Sequence, residues 1–296
     1  MTEIDMSSGK TIRRFVPHVF GSHDTTGFLD FGVRRTDWNT ELLLLDGRGR
    51  RLIDAPTARA ANGAQLRAFD LRGVLNKSDN PIGVGVASWG VAVSGTMMNG
   101  TVLAFSADAV HWAAWRDTTP VVDGMPLESF MRSLAATTMV LLHPSKRIAL
   151  LPGKFQESMT IVDIGARTSR QVTIDSLLAP PARFRMASDS GVRISWRPDA
   201  RLHFLAGAAS RSFVALVDCD CSFDGDPGQN ARRIWLIDWD GVAIARFRAP
   251  VPVIGITITA DERQLVAIVQ DGPWQHLVAW SIPYSIVARA GRGHRN

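Results

Sequence analysis

The densest run of chemically capable side chains is Asp218-Cys219-Asp220-Cys221-Ser222-Phe223-Asp224-Gly225-Asp226-Pro227-Gly228-Gln229-Asn230. Asp218, Asp220, Asp224 and Asp226, set among Gly and Asn in a loop, offer the hard oxygen ligands that Ca2+ takes. Their spacing departs from the EF-hand pattern, which wants acidic or amide residues at positions 1, 3 and 5 and a Glu at 12. A solvated insertion between the strands Phe213–Val217 and Arg232–Ile237 is the plainer account, and Ca2+ is the one cofactor the sequence suggests. Cys219 and Cys221 are separated by one residue, where zinc sites usually leave two and add further soft ligands. The same spacing is a poor one for a structural disulfide, so neither a metal nor a redox role is expected of the pair.

Two other stretches carry reactive residue types. Gly21-Ser22-His23-Asp24 places a hydroxyl, an imidazole and a carboxylate in consecutive positions. Neighbouring side chains on an extended strand point to opposite faces, and triads are assembled from separated positions, so this run reads as a turn. No G-x-S-x-G elbow accompanies it. Gly83-Val84-Gly85-Val86 with Gly90 has the glycines of a dinucleotide loop, but no helical pattern follows it. No catalytic residue is assigned from the sequence.

The elements that must position these residues are strands. Apolar runs of four to eight residues alternate with clusters of Gly, Pro, Asp and Ser, as in Leu42–Leu45, Gly90–Val93, Met139–Leu142, Phe213–Val217 and Leu265–Val269. Helical periodicity is scarce; Pro126–Ala136 predicts one short helix, and Asp54–Asp70 a helical turn or long loop.

Three segments repeat one pattern, an apolar strand, a tight turn bearing Pro or Asp and a basic residue, then another apolar strand. They are Met139–Gly153 around His143-Pro144-Ser145-Lys146-Arg147, Val192–Gly207 around Arg197-Pro198-Asp199-Ala200-Arg201, and Ile254–Val269 around Thr259-Ala260-Asp261-Glu262-Arg263. Pro early and Asp next suit a type I turn. These turns resemble the S-P-D-G-R or S-P-D-G-K turn between the first two blade strands of the WD40-like β-propeller family. Ile234-Trp235-Leu236-Ile237-Asp238-Trp239-Asp240-Gly241 is similar to the second half of such a blade. The Gly-His pair of a standard WD40 blade is missing and Trp-Asp does not recur regularly, so the resemblance is to divergent, bacterial propellers of this kind.

The resemblance implies an all-β fold, a single β-propeller of about five to seven four-stranded blades. Blades are expected within residues 12–56, 82–122, 137–175, 190–249 and 252–290, with one or two more degenerate ones unread. Residues 1–11 are expected to be a flexible N-terminus, 12–290 the propeller and 291–296 a basic tail. The competing fold is a β-sandwich or a pair of small β domains, which strand periodicity alone allows.

At 296 residues and 46% apolar, the chain can bury a large core without a staple. No window holds 18 consecutive apolar residues and the N-terminus has no apolar h-region, so no membrane span and a cytoplasmic location are expected. The formal net charge is +5 and only Lys10, Lys77, Lys146 and Lys154 of the 33 basic residues are lysines. Arginine-rich chains can bind nucleic acid, but these arginines are scattered and scattered surface charge explains them better. Of the nine tryptophans, Trp89, Trp196, Trp235 and Trp280 fall inside predicted strands and read as core. Trp239 and Trp274 lie near predicted turns and are the candidate partner-binding anchors.

Propellers present two loop-built faces suited to protein partners. With no catalytic set legible, the resemblance implies a non-catalytic protein-interaction scaffold, a subunit of a larger hetero-complex. The alternative is a propeller hydrolase or lactonase with a polar or metal site at the central channel.

Overall fold

The computed structural model describes residues 2–4, 11–14, 28–35, 40–46, 51–56, 67–75, 80–96, 101–116, 139–154, 157–173, 182–186, 192–196, 201–222 and 230–290. The chain divides into two compact units, Met1–Thr118 and Thr119–Asn296.

In the first unit, β1 (Thr2–Ile4) pairs antiparallel with β2 (Thr11–Arg14). Two four-stranded meanders follow. One runs β3 (Phe28–Arg35), β4 (Thr40–Asp46), β5 (Arg51–Pro56), β6 (Arg67–Asp70). The other runs β7 (Asn80–Ala87), β8 (Gly90–Thr96), β9 (Thr101–Ser106), β10 (Trp112–Arg116). The first strands of the two sheets, β3 and β7, lie against each other. Leu43, Leu45 and Leu52 of one sheet pack with Val84, Val91, Val93 and Ala104 of the other.

In the second unit, β11 (Leu141–Leu142), β12 (Ile148–Pro152), β13 (Ser158–Asp163) and β14 (Thr168–Thr173) form a third meander. β15 (Ala182–Met186) and β16 (Val192–Trp196) form a two-stranded sheet. β17 (Arg201–Ala209), β18 (Phe213–Ser222), β19 (Arg233–Asp238) and β20 (Ala243–Arg248) make the fourth meander. β21 (Val253–Ile258), β22 (Gln264–Asp271) and β23 (Trp274–Ser281) make a three-stranded one, and the helix α1 (Tyr284–Ala290) packs on β20.

Successive sheets stack as propeller blades do, with β11 against β17 and β17 against β21. The described residues thus form four complete four-stranded blades, two in each unit, which is fewer than the five to seven expected. The shortfall has a local cause: β21–β23 has three described strands and β15–β16 two.

The turn residues explain where the hairpins form. His143 Nδ1 accepts hydrogen bonds from the backbone N–H of Ser145 (3.1 Å) and Lys146 (2.9 Å), closing the β11–β12 turn. Asp238 Oδ1 accepts from the N–H of Asp240 (3.0 Å) and Val242 (2.8 Å), closing β19–β20, with Gly241 at φ +81°. Such local side-chain acceptors are what favour Asp and its like in turns.

The repeat at Val192–Gly207 behaves differently. β16 pairs with β15 and β17 with β18, so Arg197–Arg201 links two sheets where a hairpin within one sheet was expected. The predicted helix at Pro126–Ala136 lies outside the described residues.

The central strands β18 and β19 of the β17–β20 sheet are buried on both faces. Val214 and Leu216 of β18 face Leu150, Met159 and Ile161 of the preceding sheet. Phe213, Ala215 and Val217, on the other side, pack with Val253, Leu265, Ala267 and Val269 of the following one. A strand covered on both sides loses the usual polar alternation, which is why this one reads as an unbroken apolar run.

Candidate functional site

Three strands of the second unit, β17, β18 and β19, and the residue preceding β13 bring a cluster of charged side chains into this core. Register sets Phe204 of β17 opposite Asp218 of β18, and Asp218 opposite Arg233 of β19. Directly opposed residues share a face, so Asp218 and Arg233 meet as a cross-strand ion pair. Arg233 Nη2 lies 2.6 Å from Asp218 Oδ2 and 2.8 Å from Glu157 Oε1, the latter just before β13 in the neighbouring blade. Its Nη1 reaches Asp220 Oδ2 at 3.3 Å. One guanidinium therefore serves three carboxylates, a use of the planar fork that an ammonium could not match.

His203 of β17 completes the group. Its Nδ1 lies 3.3 Å from Asp218 Oδ1 and 3.8 Å from Glu157 Oε1, with 2% of the side chain exposed. Two facing carboxylates place the ring proton on Nδ1. Its backbone N–H donates to the Lys154 carbonyl at 2.7 Å, a second tie to the neighbouring blade. Trp235 Nε1–H donates to Asp218 Oδ2 at 3.1 Å, and Arg201 Nη1 donates to the Asp220 carbonyl at 2.8 Å.

Burial pushes the Asp218 carboxyl up, but hydrogen bonds from His203 and Trp235 and the Arg233 charge outweigh it and leave the group below the usual carboxylate range. Burial, reinforced by the charge of Asp218, pushes the Glu157 carboxyl above its usual range despite Arg233 and His203. Two adjacent carboxylates are driven apart in acidity by their surroundings.

Glu157, His203 and Asp218 hold donor atoms within 4.8 Å of one another, a spacing that a metal ion could use. The Arg233 guanidinium already bridges the two carboxylates, and supplies there the positive charge an ion would bring. The geometry is that of an ion-paired clamp between two blades.

The acidic loop named from the sequence is only partly described. Asp218 and Asp220 belong to the clamp, facing arginine, and Asp224 and Asp226 lie outside the described residues. Glu157, His203 and Arg233 were not legible as functional residues. Their one signal is a lone ionisable side chain beside an apolar run, as in Leu202-His203-Phe204-Leu205 and Arg233-Ile234-Trp235-Leu236.

Cys219 and Cys221 are joined by a disulfide, reversing the expectation from their spacing. Residues two apart on a regular strand are about 6.6 Å apart, too far for most disulfides. Here the register slips between Leu202 and Phe204, so Asp218 to Cys221 bulge out, and Asp220 takes φ +47°. The Cα atoms close to 5.1 Å and the bond becomes possible.

Trp239 is also corrected. It is 1% exposed, donates its Nε1–H to the Ser210 carbonyl at 3.1 Å, and packs its ring 4.9 Å from that of His143. The β19–β20 turn that carries it is a core contact. Trp274 is 70% exposed at the start of β23, as expected.

No protein-family model and no curated protein matches the sequence. Solved structures do. The chain is similar to a member of the DUF4221 family from Bacteroides vulgatus at 8% identity, covering 94% of this chain and 85% of that one with a TM-score of 0.55. It is similar at 8% identity to the Neurospora crassa Pan2 WD40 domain (83% of this chain, 59% of that one, TM-score 0.48). A chain of a mitotic checkpoint complex matches at 10% identity (86% of this chain, 61% of that one, TM-score 0.47). The chain spans about three fifths of the length of these last two. The blades define the class, a β-propeller fold, and the DUF4221 likeness is a likeness of fold. Among the described residues no helix is long and apolar enough to cross a membrane.

Proposed function

We propose that this protein is a non-catalytic interaction scaffold, a subunit of a larger hetero-complex. The observation that carries this reading is the division of labour between polar and apolar groups. The charged side chains His203, Asp218 and Arg233 pair with one another inside one blade, and Arg233 ties that set to Glu157 of the neighbouring blade. Large apolar side chains stand in solvent instead. Trp274 is 70% exposed, and Ile268 and Leu277 sit opposite each other on β22 and β23, each about two fifths exposed. Large apolar side chains left exposed on one hairpin are the kind of surface a protein partner covers.

The test is co-purification of the tagged full chain from its host at moderate salt. A stoichiometric protein partner, lost or reduced at least tenfold by Trp274→Ala or Leu277→Ser, supports the scaffold. Solitary recovery of the chain under conditions that preserve host complexes overturns it.

A further inference from the structure

We propose that the Cys219–Cys221 disulfide is a redox-sensitive catch on the clamp between the two blades β11–β14 and β17–β20. The bond and the clamp share one piece of backbone. Asp218 precedes Cys219, Asp220 lies between the two cysteines, and the bond closes across the bulge that turns both carboxylates toward Arg233. Asp220 holds φ +47°, a region that a non-glycine residue occupies only when its surroundings enforce it. Its backbone N–H donates to Asp218 Oδ1 at 3.1 Å, so the two acids are oriented by the same bulge.

A loop this short constrains the unfolded chain little, and stabilisation of the whole fold is therefore a minor effect of the bond. Its larger effect is local, on where Asp218 and Asp220 point. Arg233 carries that effect to Glu157, and β17 carries it to the Lys154 carbonyl, both in the neighbouring blade.

The chemical step is thiol–disulfide exchange with a dithiol reductant. A reductant thiolate attacks one sulfur of the Cys219–Cys221 bond, which breaks as a mixed disulfide forms. The second reductant thiol then displaces the cysteine. Two protons and two electrons pass to the protein, giving two thiols, and the reductant closes to its own disulfide. With the bond open, Asp220 relaxes from its left-handed conformation, the bulge loses its constraint, and Arg233 loses its set of three carboxylates. Lys154 and Glu157 are then held to β17 and β19 by fewer contacts.

The experiment uses the full chain, oxidised in air or incubated with dithiothreitol, with thiols counted by mass under denaturing alkylation. Amide hydrogen exchange is followed across the molecule. The expected result is no free thiol in the oxidised protein and two after dithiothreitol. Exchange then accelerates at least tenfold at residues 154–158, 201–204 and 218–221, and by less than twofold in β7–β9. The double variant Cys219→Ala/Cys221→Ala must reproduce the reduced pattern in both redox conditions.

Two thiols in the air-oxidised protein would overturn the proposal, as would a bond that dithiothreitol leaves intact in the folded chain. So would a reduced protein whose exchange is unchanged at those segments. A uniform rise over the whole chain would also overturn it, because the bond would then be a staple of the fold.

Discussion

Replacing Arg233 with methionine tests whether the clamp is an electrostatic assembly or merely a packed contact. Methionine keeps most of the length and apolar stem of arginine, so the packing change is small and the missing charge dominates. Breaking a buried ion pair from one side costs about 3–5 kcal/mol, because the other charge stays buried and unpaired. Arg233 keeps 27% of its side chain exposed, so the lower end, about 3 kcal/mol, is the expected loss at pH 8. For a unit of this size that corresponds to about 6–12 °C in melting temperature. The loss must depend on pH in a defined direction. In the native protein the lowered pKa of Asp218 contributes stability above the ordinary Asp range, which is lost as pH falls through its folded value. The raised pKa of Glu157 works oppositely: stability falls as pH climbs from the ordinary Glu range through its folded value. Without Arg233 both carboxyls move upward, so the deficit of the variant is small near pH 4.5 and complete by pH 8. Urea midpoints at pH 4.5, 6 and 8, followed by tryptophan emission, measure it. A deficit equal at all three values, or under about 1 kcal/mol at pH 8, would refute the electrostatic account. Glu157→Gln supplies the converse: stability at pH 8 at least equal to the native protein, and a flatter profile between pH 5 and 7.

The remaining expectations concern particular contacts. Gly241→Ala puts a Cβ 2.8 Å from Val172 Cγ2 at a φ of +81°, and a destabilisation of about 2–4 kcal/mol should appear in thermal melts. Trp239→Phe orphans the Ser210 carbonyl and should cost about 2 kcal/mol, whereas Trp274→Ala should change stability by no more than about 0.5 kcal/mol. Paired urea titrations of the two variants read this contrast, and equal effects would contradict the burial assigned to them. Reducing Cys219–Cys221 should lower the melting temperature by only about 3–6 °C, the equivalent of about 1.5 kcal/mol for so short a loop. Calorimetry with and without dithiothreitol decides it.

The strands were legible because each is a short apolar run between turn-forming residues, and β4, β8, β18 and β22 fall on the runs singled out. The turns at His143–Arg147 and Thr259–Arg263 join paired strands as their chemistry implies. Arg197–Arg201 has the same local chemistry but joins strands of different sheets, because pairing is decided by long-range burial that a five-residue motif does not encode. Trp239 was misplaced for a similar reason: turn residues are usually exposed, but this turn rests on His143 and Ser210 of its surroundings. The clamp was illegible as a unit. Glu157, His203, Asp218 and Arg233 span 76 positions and meet only through two sheets and a register slip. The same slip hid the disulfide, since an unbulged strand would hold the two cysteines apart.

The double coverage of β18 and β19 bears on how the chain can be cut. A fragment holding only residues 201–248 would present two oily surfaces to water and should self-associate rather than stay dispersed. Trimming from either side strips one cover, so a soluble piece of the second unit needs both flanking sheets, residues 139–290. Attempts to express single blades for interaction mapping should therefore keep that stretch whole.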